Sequence, residues 1–278
     1  MEVKAKLSAT TLEQYFKPFR NNILGIDQTF ESPYGTQKMV YTDWTASGRL
    51  YTPIEEKMLQ DFGPFVANTH TQTTVSGTTM THAYHKARQI IKEHVNAGPD
   101  DVLITTGTGM TGAVNKFQRI LGLKIPEQIK GLFELKEEDR PVVFVSHMEH
   151  HSNQTSWLET IATVEVIPSN ENGLFCMENL YRLLEKYKKR DVKIASITSC
   201  SNVTGIKTPY HEIAKVMHQH DGFCFVDFAC SAPYIAIDMH PEDAERCLDA
   251  IFMSPHKFLG GPGSSGVLVF NKKLYKNL

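Results

Sequence analysis

Phe223-Cys-Phe-Val-Asp-Phe228 decides the reading of this chain: five apolar or aromatic side chains in one short run, with a single carboxylate, Asp227, set inside it. Such a run is too short for a helix and lacks the polar alternation of a half-exposed sheet. It reads as a strand buried on both faces. The pattern recurs downstream at Ala250–Met253 (AIFM) and Gly266–Phe270 (GVLVF), and upstream at Ile194–Ser199, Val164–Pro168, Val142–Ser146 and Val102–Thr106. Helical stripes lie between these runs: Ala113, Val114, Phe117, Ile120 and Leu121; then Leu180, Leu183 and Leu184; then Ile213, Val216 and Met217, with Asp221-Gly222 as a stop. Strands alternating with helices imply right-handed crossovers and a sheet covered on both faces. The expected fold is α/β, a three-layer αβα arrangement around a mostly parallel seven-stranded sheet.

The first hundred residues differ. A short helix is expected near Thr10–Phe16, stopped by Pro18, followed by a long polar stretch. A second helix is expected at about Thr81–Val95, ended by Gly98-Pro99. Residues 1–99 therefore read as an N-terminal segment of lead-in helices and loops, and residues 100–278 as the large domain.

Composition narrows the function classes. With 278 residues, 41% hydrophobic and 22% charged, the chain excludes long disorder and a disulfide-knotted miniprotein. Lys and Arg total 29 against 31 Asp and Glu, a net −2, so no basic field exists to draw nucleic acid or anionic lipid. The run Lys186–Arg190 (KYKKR) reads as the solvated end of a helix. Five cysteines, Cys176, Cys200, Cys224, Cys230 and Cys247, have neither CxxC nor zinc-ligand spacing. No apolar signal core opens the chain, and a reduced, cytoplasmic protein is expected.

In sheets of this kind, ligands bind beyond the carboxyl ends of the strands, so the residues just past each apolar run matter most. After Val102–Thr106 comes Gly107-Thr-Gly-Met-Thr-Gly112 and a helix, an arrangement that favours an anion at the helix N-terminus. The same glycines satisfy GxGxxG, which leaves a nucleotide (NAD or FAD) oxidoreductase as an alternative. The acidic residue that fingerprint needs on the next strand is replaced by Ser146-His147. After Val142–Ser146 comes His147-Met-Glu-His-His-Ser-Asn153; its spacing is not that of a metal site, so no metal is expected, and it reads as either a stacking or proton-moving histidine or a capped surface turn. Ser199-Cys-Ser-Asn-Val-Thr-Gly205 by itself is ordinary turn chemistry. Asp227 is costly inside an apolar run unless a ligand or a structural cation partners it. Lys257 follows a buried strand and precedes a glycine-rich loop, placed for Schiff-base chemistry or, more simply, solvated in the loop. Taken together, an anion cradle, a histidine, a buried Asp and a Lys are the parts that hold pyridoxal 5'-phosphate.

With Met148-Glu-His-His-Ser-Asn153, Ser201-Asn-Val-Thr-Gly205, Val226-Asp-Phe-Ala229 and Ser254-Pro-His-Lys257 in this order, the chain resembles fold-type I pyridoxal-phosphate enzymes. The resemblance is to the class V aminotransferase group, which includes cysteine desulfurases and selenocysteine lyases, and it covers roughly residues 40 to 278. It implies that Lys257 carries the cofactor as a Schiff base and moves the substrate Cα proton, that Asp227 pairs with the pyridinium nitrogen, and that His150 stacks on the ring. It further implies that Met110, Thr111, Ser254 and His256 hold the phosphate, and that Asn202 contacts substrate and the ring's oxygen side. His70 is similar to a histidine on the loop entering the active site. A small amino-acid substrate and a homodimer with His70 reaching across are implied as well.

Two positions depart from the family pattern. Cys230 stands where a glutamine commonly bonds the ring hydroxyl, and Gly109-Met-Thr-Gly112 replaces a more hydroxyl-rich turn. None of the five cysteines occupies the late mobile loop that desulfurases use, so desulfuration, transamination, elimination and racemisation all stay open. The seven apolar runs nearly exhaust the chain, which ends at Lys276-Asn-Leu278, and the C-terminal small domain is expected to be absent. The chain is expected to be a fragment of a pyridoxal-phosphate enzyme, with its activity in the absence of that domain left open; a non-catalytic relative is the third alternative.

Overall fold

The computed structural model of the protein describes residues 11–126, 128 and 135–275. These fall into two units: the described residues of Met1–His85 with His256–Gly263, and those of Lys86–Pro255 with Ser264–Leu278.

In the first unit, helix α1 (Leu12–Asn21) opens on a capping box in which Thr11 Oγ1 accepts from the Gln14 amide at 3.2 Å and Gln14 Oε1 accepts from the Thr11 amide at 3.0 Å. It runs through Pro18 instead of stopping there. The proline deletes one intrahelical bond, but the cap secures the first turn and the rings of Tyr15, Phe16 and Phe19 pack together along the helix. Thr10 lies outside the described residues. A hairpin, β1 (Thr29–Ser32) and β2 (Gly35–Lys38), follows, with Ser32 facing Gly35 across the turn and Gly35 at φ +91°. Almost wholly exposed, it carries no apolar alternation, so nothing in the sequence marked it. After it, α2 (Thr52–Lys57) continues into a π turn over Met58–Phe62.

Helix α3 (Val75–His94) starts before the apolar stripe that begins near Thr81. The extra turn is polar, and the buried Thr81 hydroxyl, donating to the Gly77 carbonyl at 2.7 Å, fastens it. The helix ends earlier than Gly98-Pro99: Asn96 adopts φ +50° and Ala97 N returns to Lys92 O at 2.8 Å, a left-handed cap.

The second unit holds the sheet. Its elements are β3 (Asp101–Thr106), α4 (Gly109–Ile120), β4 (Val142–Ser146), α5 (His151–Leu158), β5 (Thr163–Ile167), α6 (Met177–Lys186), β6 (Lys193–Thr198), α7 (Tyr210–Gln219), β7 (Phe223–Asp227), β8 (Ala250–Met253) and β9 (Gly266–Asn271). All seven apolar runs are strands. Their order is β3-β9-β8-β7-β6-β4-β5, parallel except for β9, which runs antiparallel to both β3 and β8. The core between α4 and the sheet centres on Phe117, whose ring lies 5.0 Å from Phe225, 5.9 Å from Phe252 and 5.0 Å from Phe270. Each such side chain contributes about 1.5–3 kcal/mol by leaving water.

KYKKR is only partly the solvated helix end expected: Arg190 is buried, donating to the Arg140 carbonyl and to Glu137, both at 2.7 Å. It ties the chain before β4 to the chain before β6. No helix among the described residues is long and apolar enough to cross a membrane.

Candidate active site

The six mutually parallel strands of the second unit, β3 to β8, end on one edge of the sheet, and the turns after β3, β4, β6, β7 and β8 carry the polar residues found there. The tightest is the turn from β3 into α4. Gly107 and Gly109 have φ of +55° and +66°, and a Cβ on Gly112 would lie 3.0 Å from the Gly107 Cα. A Cβ on Gly266, in β9, would come within 1.9 Å of the Gly109 carbonyl oxygen. Close backbone packing therefore accounts for these glycines without a dinucleotide.

No side chain caps α4 at Thr108, and its first turn presents Met110 and Thr111. The Met110 amide donates at 2.8 Å to Oγ of the buried Ser254, the first residue after β8. The Met110 side chain is itself buried and accepts a weak contact from Ser152 Oγ at 3.4 Å, while Thr111 stays exposed. A helix N-terminus whose own N-cap residue offers no side-chain acceptor, with Ser254 Oγ on its Met110 amide, favours an anion.

His150, exposed after β4, is the N-cap of α5. Its Nδ1 accepts from the Ser152 amide at 3.2 Å and meets Ser152 Oγ at 2.8 Å, which sets the ring's orientation. The capped-turn reading and the stacking-histidine reading describe the same residue. Among the described residues, no group of His, Cys, Asp and Glu is arranged to hold a metal ion.

Asp227 closes β7, only 2% exposed, with Oδ1 accepting from the Ala229 amide at 2.8 Å. Its carbonyl receives the Ser199 amide at 2.9 Å and Ser199 Oγ at 3.1 Å, linking the turns after β6 and β7. Buried Cys230 donates from Sγ to the Cys200 carbonyl at 3.1 Å across the same two turns. Asn202 is exposed on the turn that Ser201 Oγ organises by accepting from the Val203 and Thr204 amides, each at 3.2 Å.

One residue of this edge was not legible in the sequence. The carboxyl of Glu149 is enclosed by four donors: Oε1 accepts from Ser146 Oγ (2.6 Å), the Thr198 amide (2.8 Å) and the Ser146 amide (3.3 Å), and Oε2 from Asn153 Nδ2 (2.7 Å). Burial pushes its pKa up to about 7, the donors oppose that rise, and the charge of Asp227 adds to it. The sequence signal was available only as a Glu and an Asn four apart at a helix start, a pattern equally common on surfaces.

The second unit thus brings Met110, Thr111, His150, Asn202, Asp227, Cys230 and Ser254 to one edge. The other three residues singled out, His70, His256 and Lys257, belong to the first unit. His70 is exposed, its amide bonded to Asn68 Oδ1 at 3.0 Å. His256 and Lys257 sit in a 3-10 turn anchored to residues 48–49: the Gly48 amide donates to the His256 carbonyl at 2.9 Å and the Gly260 amide to the Arg49 carbonyl at 2.7 Å. Burial and the adjacent Lys257 ammonium hold the His256 ring below the usual histidine range. A Cβ on Gly48 would lie 1.9 Å from the Phe258 oxygen, so this loop can approach only glycine.

Residues 40–278 match the family model for aminotransferase class-V. A probable cysteine desulfurase from Halalkalibacterium halodurans is 30% identical over 241 residues, covering 85% of this chain and 54% of that protein. The chain spans about half the length of the curated relatives it matches. Among solved structures, the apo cysteine desulfurase from Thermococcus onnurineus NA1 superposes with a TM-score of 0.70 at 20% identity, covering 92% of this chain and 57% of that one. The cysteine desulfurase CsdA from Escherichia coli, an S-sulfonic acid form, gives 0.67 at 24% identity, covering 93% and 58%. At these identities the structures establish the fold.

Proposed function

The chain belongs to the aminotransferase class-V family, and from that premise we propose that it is the cofactor-holding part of a pyridoxal-phosphate enzyme that acts on a small amino acid, cysteine being the first to test. The observation that carries this reading is Asp227: a buried carboxylate at the carboxyl end of a central parallel strand, on the same edge as the N-terminus of α4. The donor set fits the group. A phosphate matches the start of α4 with Ser254 beside it, and a protonated ring nitrogen matches Asp227.

In this reading Met110, Thr111, Ser254 and His256 hold the phosphate. Asp227 keeps a proton on the ring nitrogen, and His150 covers the ring face. Lys257, three residues after Ser254 in the chain, supplies the amine that takes the aldehyde and later carries the proton from the substrate Cα. Asn202 contacts substrate and the ring's oxygen side. Cys230 takes the place of a hydrogen-bonding glutamine there, with a thiol that donates more weakly. The cofactor supplies an aldehyde that joins amines and a ring that spreads the negative charge left on the α-carbon. A homodimer, with His70 reaching the partner's site, and a reducing cytoplasmic setting for five free thiols complete the proposal.

The test is a spectrum followed by a substrate panel. Protein purified with pyridoxal phosphate is expected to be yellow, and Lys257→Ala colourless. A panel of amino acids assayed for sulfide, alanine and keto acid then separates desulfuration from transamination. Colourless wild-type protein that binds NAD instead would refute the proposal.

A further inference from the structure

Glu149 is a half-buried residue whose carboxyl is enclosed by donors and to which the proposed function gives no task. It stands in the turn between β4 and α5, directly before His150. Oε1 gathers donors from the ends of two neighbouring strands, Ser146 of β4 and Thr198 of β6, and Oε2 takes Asn153 of α5. One carboxyl group thus ties two strand ends and a helix start around the residue next to it.

Asn153 cannot turn its amide over to suit a changed neighbour. Its Oδ1 already accepts from Ser196 Oγ at 2.7 Å and Trp157 Nε1 at 3.2 Å, and its Nδ2 donates to the Ser196 carbonyl at 3.2 Å as well as to Glu149. The network is therefore polarised toward position 149 and asks for an acceptor on both oxygens there. The titratable groups around it are Asp227 on β7 and, on its own turn, His147 and His150. Ser146, Asn153 and Thr198 are uncharged.

We propose that Glu149, as the carboxylate, is a positioning residue that locks the β4–α5 turn and so holds His150 in place for the cofactor ring. The part concerning the ring rests on the proposed function; the lock itself does not. A glutamine at 149 would keep the bonds to Ser146 and Thr198 but set its own Nε2 against Asn153 Nδ2, donor against donor. That frees the turn while leaving the volume unchanged.

Two readouts test this on the full chain. The first is the dissociation constant for pyridoxal phosphate, from its absorbance. Glu149→Gln is expected to weaken binding about tenfold, the effect of one lost charge-assisted bond. The second needs no cofactor: Trp157 emission against pH in a Trp44→Phe background, where Trp157 is the single tryptophan. Because Trp157 bonds Asn153 Oδ1, its emission is expected to step near pH 7, to lose the step in Glu149→Gln, and to move it upward by about one pH unit in Asn153→Asp, where two carboxyls share the site. Binding within twofold of wild type in Glu149→Gln would overturn the proposal, as would a step that survives in that variant or stays put in Asn153→Asp. If the wild-type protein fails to bind pyridoxal phosphate, the functional reading falls, and the emission titration still decides the lock.

Discussion

Replacing Asp249 by Asn is expected to destabilise the protein by an amount that depends on pH in a defined direction. Asp249 sits just before β8, at the edge of the sheet away from the candidate site, and is 3% exposed. It accepts from His218 Nε2 at 2.8 Å, Lys273 Nζ at 2.8 Å and the Cys224 amide at 2.9 Å. His218 Nδ1 meets the Glu245 carbonyl at 2.6 Å, so both ring nitrogens face acceptors, which only the imidazolium satisfies. The bond to Asp249 accordingly raises the His218 pKa above 6.5, against the opposing effect of burial. For Asp249, burial alone would raise the pKa, yet His218 and Lys273 together hold it below 3.8.

The stability from His218 is fully present below pH 6.5 and is lost as pH rises through its folded value. That from Asp249 is present above pH 3.8 and is lost as pH falls through its folded value. The pair therefore contributes most near pH 5.5. Asn keeps an acceptor for the Cys224 amide but loses the charged bond, about 1.5–3 kcal/mol, while the half-exposed Lys273 adds less than about 1 kcal/mol. At roughly 2–4 °C per kcal/mol for a chain of this size, the melting temperature should fall by about 5–10 °C at pH 5.5 and by less than half of that at pH 9. Thermal melts by circular dichroism at the two pH values measure this. A difference that is equal or larger at pH 9 would refute the imidazolium assignment.

Other substitutions address the core and the site. Phe117→Ala removes the ring packed among Phe225, Phe252 and Phe270 and should cost about 3–5 kcal/mol, read as a loss of roughly 10 °C in melting temperature. Gly48→Ala drives a Cβ into the Phe258 carbonyl and should shift the loop carrying Lys257, lowering the yield of borohydride-trapped pyridoxal phosphate on Lys257 about tenfold with an unchanged far-UV spectrum. Asp227→Ala should weaken pyridoxal-phosphate binding about tenfold or more, the range for losing one charge-assisted bond, read as the dissociation constant from absorbance.

The five inner strands were legible because they are buried on both faces and carry short apolar runs, and the edge strands β3 and β5, only partly buried, were legible from their β-branched residues alone. Their order was not: β9 lies antiparallel between β3 and β8, and nothing in GVLVF names its neighbours. The hairpin at residues 29–38 escaped because its strands bury nothing. Pro18 misled the reading of α1, since a proline's local cost was outweighed by a capping box and aromatic contacts. At the site, Asp227 stood out as a charge inside an apolar strand. Glu149 did not, because its turn is polar and its enclosure comes from Thr198 and Asn153, which reach it only in the folded chain.

The central claim is that the Lys257 amine holds pyridoxal phosphate. Borohydride reduction of the loaded protein, followed by proteolysis and mass spectrometry, tests it most directly. The account predicts one phosphopyridoxyl group, on the peptide containing Lys257, and none in Lys257→Ala. A label spread over other lysines, or undiminished in that variant, would contradict it.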